Sequence, residues 1–281
     1  MADNYLERRM EDMRAGRIGA AGVRGDGVPR KGILQIPFPQ RRVLVTGGVS
    51  GIGRAVASAF VRAGCKVAVM DIDKEGGEAM AREVGVRFMH VNVADTGAVE
   101  AAMDSLVKAW RDIDIVVSNA GISRFRAITE TSPEEFQHVM DVNLRPAFVI
   151  ARCLALHRKS LPLPNSFGGR YIIISSTRHA QSEAGTEAYS ASEGGLASLT
   201  HALMMSLSEY GITVNSISPG WINTSDETLT EADLLQHPSR RVGEPEDIAR
   251  LCLFLAAPGN DFINGADIPV DGGMTRRMIY V

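Results

Sequence analysis

The run Thr46-Gly47-Gly48-Val49-Ser50-Gly51-Ile52-Gly53 follows a short apolar segment and opens a stretch of helical period. Glycines so placed let backbone come into contact with an anion, while a helix starting there aims unpaired N–H groups at it. This chemistry suits the pyrophosphate of a dinucleotide. Glycines also build ordinary turns, and the position between strand and helix is what favours the ligand. Asp71 stands 18 residues beyond Gly53, at the end of the next apolar run. A carboxylate there can accept hydrogen bonds from both ribose hydroxyls of an adenosine, and its charge repels a 2′-phosphate. Val49 and Ser50 occupy the turn where an arginine or lysine would help to hold that phosphate. Both features point to NAD rather than NADP, although Asp71 could also be a simple strand-end residue.

Such a turn needs a parallel sheet to carry it. From Arg41 onward, short β-branched runs alternate with longer stretches of helical period, the pattern of βαβ units. Strands are expected at 43–46, 66–70, 87–91, 113–117, 171–175, 213–217 and 268–270. Helices are expected at 52–63, 74–84, 95–109, 133–158, 189–209 and 245–256. Several strands are apolar at consecutive positions, as required when helices cover both faces of a sheet. The expected fold is α/β, a Rossmann-type doubly wound parallel sheet of seven strands in one domain over residues 41–281. Residues 1–40 read as an arm or linker: 4–14 could form a short helix, followed by Gly16, Gly19, Gly22, Gly25, Gly27, Pro29, Pro37 and Pro39. Gly and Pro at that density oppose regular structure. The arm is either a solvated extension or a strap whose Tyr5, Leu6, Met10 and Met13 pack on a neighbouring subunit.

With 45% hydrophobic and 22% charged residues, the chain can bury a sizeable core, and disorder over most of its length is excluded. A net charge of -3 and a pI near 6.1 offer no basic field for nucleic acid. Cys65, Cys153 and Cys252 are odd in number and never in CxxC spacing, so neither a disulfide framework nor a zinc knuckle is expected; a reducing cytoplasm fits. The charged start lacks the apolar stretch of a signal peptide, and no run of 18 uncharged apolar residues follows, so no membrane span is expected. Six histidines show no HExxH pattern, and no catalytic metal is expected.

Further along, the chain resembles the short-chain dehydrogenase/reductase family over almost everything from Arg41 to Met274. It carries the TGxxxGxG turn at Thr46 to Gly53 and an NNAG-like Ser118-Asn119-Ala120-Gly121. Asn143 lies in Asp141-Val142-Asn143-Leu144, Ser176 lies 13 residues before Tyr189, and Pro219-Gly220 precedes Thr224. The closing matches are 241–249 and 270–274. The resemblance implies hydride transfer between a nicotinamide and an alcohol or carbonyl carbon. It makes Tyr189 the acid/base, Ser176 the partner of the substrate oxygen, and Asn143 the holder of a water in the proton relay. It assigns Gly47, Ser50, Gly51, Ile52 and Gly53 to the pyrophosphate, and Asp71, Ile72, Asn92 and Val93 to the adenosine. Asn119, Ala120, Gly121 and Tyr189 would line the cofactor, with Pro219, Gly220, Ile222 and Thr224 at the nicotinamide end. Asn92 replaces a frequent aspartate and can still accept from the adenine amino group. Segment 221–240 is expected to cover the pocket; its mix of Thr224, Ser225, Asp226, Glu227, Leu234, Leu235 and His237 specifies no substrate class.

One departure touches the chemistry. The family's YxxxK reads Tyr189-Ser190-Ala191-Ser192-Glu193 here. Four residues apart on a helix, positions 189 and 193 share a face. Glu193 can accept from ribose hydroxyls, but as a carboxylate it disfavours a tyrosinate that the missing ammonium would have favoured. At an effective dielectric of 20, two charges about 5 Å apart interact by roughly 3 kcal/mol, about two pKa units. Arg178, His179, Arg124 and Arg126 could compensate, or be solvated loop charges, and a desolvated Glu193 could be neutral. The leading reading is an NAD(H)-dependent oxidoreductase acting on a small alcohol or carbonyl compound. The alternatives are a nicotinamide-binding sensor or partner subunit with little turnover, and a lyase or isomerase using Glu193 as base. The resemblance also implies a homodimer or homotetramer through 133–158 and 189–209. Phe148, Val149, Ile150, Leu154 and Leu156 put apolar groups on more than one side of the first segment, and Met204 and Met205 read as core or interface.

Overall fold

Side chains along a strand alternate between two faces, so a strand covered on both sides must be apolar at consecutive positions. In the computed structural model, which describes residue 38 and residues 40–162, 168–225 and 228–278, strand residues 43–45, 67–70 and 115–117 obey this rule, whereas the equally buried 212–219 also carries polar Thr213, Asn215, Ser216 and Ser218. The strands are β1 (Arg42–Thr46), β2 (Lys66–Asp71), β3 (Arg87–His90), β4 (Ile115–Ser118), β5 (Gly169–Ile174), β6 (Ile212–Pro219) and β7 (Asp267–Val270). All pair in parallel, in the order β3-β2-β1-β4-β5-β6-β7. The order in which successive strands are added reverses between β1 and β4, where such sheets open a crevice at their carboxyl ends.

The helices are α1 (Gly51–Arg62), α2 (Lys74–Val84), α3 (Thr96–Trp110), α4 (Pro133–Asn143), α5 (Arg145–Lys159), α6 (Glu187–Ser208), α7 (Glu231–Leu235) and α8 (Pro245–Ala256). Alternate strand residues feed two cores. Val43, Val45, Val67, Val69, Ile115 and Val117 cluster with Val56 and Phe60 of α1 and with Ile248 and Cys252 of α8. Leu44, Ala68, Met70, Val116, Tyr171 and Ile173 cluster with Leu106 of α3, Ile150 of α5 and Leu203 of α6. Each buried aliphatic side chain stabilises by about 2 kcal/mol, so both faces are held firmly. Local signals set the helix starts: Asp73 accepts from the Gly76 N–H, Asp95 from Ala98, and Ser132 forms a reciprocal cap with Glu135.

The helix expected over 133–158 is two helices, broken at Leu144. Pro146 in the first turn of α5 has no N–H to continue the ladder, and its ring disfavours a helical residue before it. β4 begins at Ile115 rather than 113. The Asp114 carboxylate just ahead of it accepts from the Arg42 N–H (2.8 Å) and grips the Arg42 guanidinium (2.7 and 2.8 Å), tying two strand starts together. Within 221–240 the structure adds the short helix α7, and Asp226 and Glu227 lie outside the described residues. So do the expected arm helix over 4–14 and the rest of 1–37. Phe38, inside the expected arm, is buried edge-on against Phe60 (5.8 Å). Met204 packs on the core, while Met205 is exposed.

The turn between β1 and α1 has no room for side chains at its centre. A Cβ on Gly53 would collide with the Gly47 carbonyl and lie 2.6 Å from the Asn119 amide nitrogen. Gly53→Ala is therefore expected to cost about 1–3 kcal/mol, read as a lower urea midpoint; an unchanged midpoint would show that the turn has slack.

Candidate active site

The glycine turn sits at the carboxyl end of β1, where the sheet's crevice opens. Gly47 (φ 62°) and Gly51 (φ 49°) adopt left-handed backbone that other residues avoid. Thr46 Oγ1 accepts from the N–H groups of Asn119 and Ala120 (both 3.0 Å), and the Asn119 amide donates to the carbonyls of Thr46 (3.0 Å) and Gly47 (2.9 Å). These bonds lock the turn to the end of β4. Ser50 precedes α1 without a side-chain cap and the first turn holds no acid, so the helix N-terminus keeps its field for an anion. Across the cleft, a Cβ on Gly51 would lie 3.2 Å from the Thr224 methyl group. Gly51, expected at the pyrophosphate, and Thr224, expected at the nicotinamide end, are thus neighbours.

Asp71 Oδ2 accepts from the Val49 N–H (3.0 Å) and Oδ1 from the Asp73 N–H (3.0 Å), which fixes the carboxylate at the turn and leaves each oxygen acceptor capacity. Arg54 reaches the Val49 carbonyl (3.5 Å) and is paired with Glu83 (2.9 Å). Ile72 is exposed beside Asp71 and Val93 is buried. Asn92 accepts from the Ala94 N–H (3.1 Å) and keeps a second lone pair. Pro219 ends β6, and the Gly220 N–H donates to Val270 (3.0 Å), where a Cβ would press on Asp271 (2.7 Å). Ile222 pairs as a single bridge with Gly243. These residues fit a nicotinamide dinucleotide: glycines where its phosphates need backbone, and acceptors where its ribose needs them.

The second group of residues gathers at the end of β5 and the start of α6. Ser176 begins a short turn and its Oγ accepts from the Arg178 N–H (3.2 Å). Tyr189 lies in the first turn of α6, and the Ser176 side chain is one of two groups that draw its phenol pKa down. Asn143, the last residue of α4, accepts from the Ile122 N–H (2.9 Å) and donates to the Ile122 carbonyl and to Ser192 Oγ (both 3.0 Å). Ser192 Oγ in turn donates to the Tyr189 carbonyl (2.8 Å). Asn143 therefore pins the segment after Gly121 to the helix that carries the phenol.

Glu193 lies one turn below Tyr189 and is 4% exposed. Ser175 Oγ donates to its backbone carbonyl (3.2 Å), and its Oε2 has no hydrogen-bond partner among the described residues. Burial pushes the Glu193 carboxyl up to about 7, while the neighbouring Ser175, Asn143 and Ser192 side chains hold it back. Burial is also the largest cause that pushes the Tyr189 phenol up to about 12; the Glu193 charge comes second, and Ser176 and Arg178 pull down. The sequence-level expectation put charge repulsion first. Desolvation outweighs it here, and the same desolvation weakens the repulsion by favouring neutral Glu193.

Three partners in this site carry no motif: Phe125, edge-on to Tyr189 with ring centroids 6.0 Å apart; Ser192; and Trp221, tilted against the buried His237 ring at 6.3 Å. Of the cations expected nearby, Arg126 pairs with Glu135 (3.0 Å) and His179 with Asp267 (3.1 Å). Among the described residues no cluster of His, Cys, Asp or Glu could hold a metal, and no helix is long and apolar enough to cross a membrane.

Known proteins share this fold. Residues 47–275 match the family described as Enoyl-(Acyl carrier protein) reductase. An uncharacterized oxidoreductase of Thermotoga maritima is 44% identical over 252 residues, 84% of this chain and 96% of that one. A 3-oxoacyl-[acyl-carrier-protein] reductase of Mycobacterium bovis is 34% identical, covering 85% and 94%. The solved apo SCOR enzyme from Clostridium thermocellum superposes with a TM-score of 0.77 at 37% identity, covering 85% of this chain and 95% of that one. With its glycine turn, its serine and tyrosine and these relatives along nearly the whole described fold, the chain belongs to the short-chain dehydrogenase/reductase family, enzymes that carry out oxidoreduction with a nicotinamide cofactor.

Proposed function

We propose that the chain is an NAD(H)-dependent oxidoreductase that interconverts a small alcohol and its carbonyl compound, with Tyr189 as acid/base and Glu193 setting the pH at which it works. The observation that carries this reading is the Tyr189 phenol beside Ser176, with a buried acid where the family has an ammonium. Gly47, Ser50, Gly51, Ile52 and Gly53 would hold the pyrophosphate, and Asp71, Ile72, Asn92 and Val93 the adenosine. Asn119, Ala120 and Gly121 would line the middle, with Pro219, Gly220, Ile222 and Thr224 at the nicotinamide. When bound, that nicotinamide supplies or takes the hydride.

Every other part falls to side chains of the chain itself. In reduction the Tyr189 O–H gives its proton to the substrate oxygen, and the Ser176 hydroxyl donates to that oxygen as its charge grows. In oxidation the phenol oxygen must take a proton, which a phenol near 12 does poorly at neutral pH. Glu193 adjusts both directions. Below about 7 it is mostly neutral and exerts no charge on the phenol; above that it is a carboxylate and opposes the tyrosinate. We also propose a cytoplasmic homodimer or homotetramer, supported by the exposed Phe148 and Leu156 on α5 and Met205 on α6. Light scattering on the purified chain that returned a monomer would exclude the assembly.

NADH fluorescence titration is expected to show tighter binding than NADPH, with Asp71→Ser narrowing the gap; equal affinities in the unaltered chain would reject NAD preference. Glu193→Lys is expected to raise alcohol oxidation at pH 7 at least about tenfold, since it exchanges a repelling group for an attracting one. In the unaltered chain, carbonyl reduction should fall as pH rises through about 7, and Glu193→Gln should remove that limb. Equal pH profiles for the unaltered and Gln chains across a carbonyl panel would contradict the role of Glu193.

A further inference from the structure

Tyr189 has an acid where its family has an ammonium, and its phenolate form needs positive charge from elsewhere. The charged groups around it are Glu187 and Glu193 on α6 itself, Arg178 with Glu183 on the segment after β5, and Arg124 and Arg126 flanking Phe125, the latter paired with Glu135 of α4. Arg178 stands apart on geometry. Its backbone N–H donates to Ser176 Oγ (3.2 Å), which ties it to the serine whose side chain also draws the phenol pKa down. Its guanidinium carbon lies 5.9 Å from the centre of the Phe125 ring, and that same ring meets Tyr189 edge-on at 6.0 Å. The Arg178 side chain is about three-quarters buried, and Nη2 is held at 3.1 Å by Glu183, whose side chain is 73% exposed. The Glu183 end of this pair is the one exposed to solvent, while the Arg178 guanidinium lies over the Phe125 ring.

We propose that Arg178 replaces the absent lysine electrostatically: it is a positioning residue that keeps a permanent positive charge beside the Phe125–Tyr189 pair and so favours the phenolate. An arginine suits this place because its guanidinium stays charged when partly buried and lies against an aromatic ring. Of the basic groups nearby, Arg178 is the one whose charge pulls the Tyr189 phenol down. The inference rests on Tyr189 being the acid/base. At an effective dielectric of 20, a unit charge about 10 Å away is worth about one pKa unit on the phenol.

The test titrates Tyr189 directly. Fluorotyrosine incorporated throughout lowers the phenol pKa values and reports their ionisation, and Tyr189→Phe identifies the Tyr189 fluorine resonance. Arg178→Gln and Arg178→Met, the second keeping an apolar stem on Phe125, should each raise the Tyr189 midpoint by about one unit. Arg178→Lys should hold it near the unaltered value. An unmoved midpoint in both neutral variants overturns the proposal; so does an equal rise in the Lys variant, which would mean that shape and not charge matters. The readout needs neither turnover nor cofactor. Its failure would leave NADH binding untouched, and failure of NADH binding would leave this result standing.

Discussion

Desolvation at the start of α6 governs this site more than any single charge. Glu193 and Tyr189 share a helix face and are both shut away from water, and loss of water disfavours the charged form of each. For two acids side by side the effects reinforce: a neutral carboxyl spares the phenol a repelling neighbour, and a neutral phenol spares the carboxyl one. An ammonium at position 193 would turn this mutual neutrality into an ion pair. With glutamate the site holds protons at neutral pH that a lysine site would release.

The fold makes that burial unavoidable. Parallel strands covered on both faces end together at one edge, and the loops leaving β4 and β5 must pack over the first turn of α6. Asn143 ties the loop after β4 to Ser192, and Ser192 ties to the Tyr189 carbonyl, so the phenol's helix cannot shift away from that loop without breaking the buried Asn143–Ser192 hydrogen bond. On the far side of the crevice, Thr46 and Asn119 bind the glycine turn to β4. One strand, β4, thereby sets the distance between the glycine turn and the start of α6.

Much of this was legible in the residues. The glycine turn states a backbone requirement that only sequence-local geometry has to meet, and Asp71 follows at the end of β2 as strand length dictates. The alternation of β-branched runs and helical stretches gave the order of elements because both faces of the sheet are buried. Boundaries that depend on distant partners were less visible: β4 starts late because Asp114 is taken up by Arg42, a contact across 72 residues. The break at Leu144 had a local signal in Pro146 that the apolar periodicity of 133–158 overrode. Phe125 and Ser192 carried no signal, since an aromatic in a loop and a serine in a helix acquire their roles from what packs on them. The identity of residue 193 was plain, but its protonation was not. That property belongs to the burial created by α4, β5 and α6 together, and the sequence-level weight given to charge repulsion was accordingly too large.

The central claim is that Glu193 is a buried acid poised near neutrality. Infrared or carbon NMR titration of the Glu193 carboxyl, assigned by difference from Glu193→Gln in the folded chain, measures this without substrate or turnover. The account predicts a midpoint near 7. A carboxyl that ionises at the ordinary glutamate value of 4.5 would contradict it, because Tyr189 would then face a full negative charge across the whole physiological range.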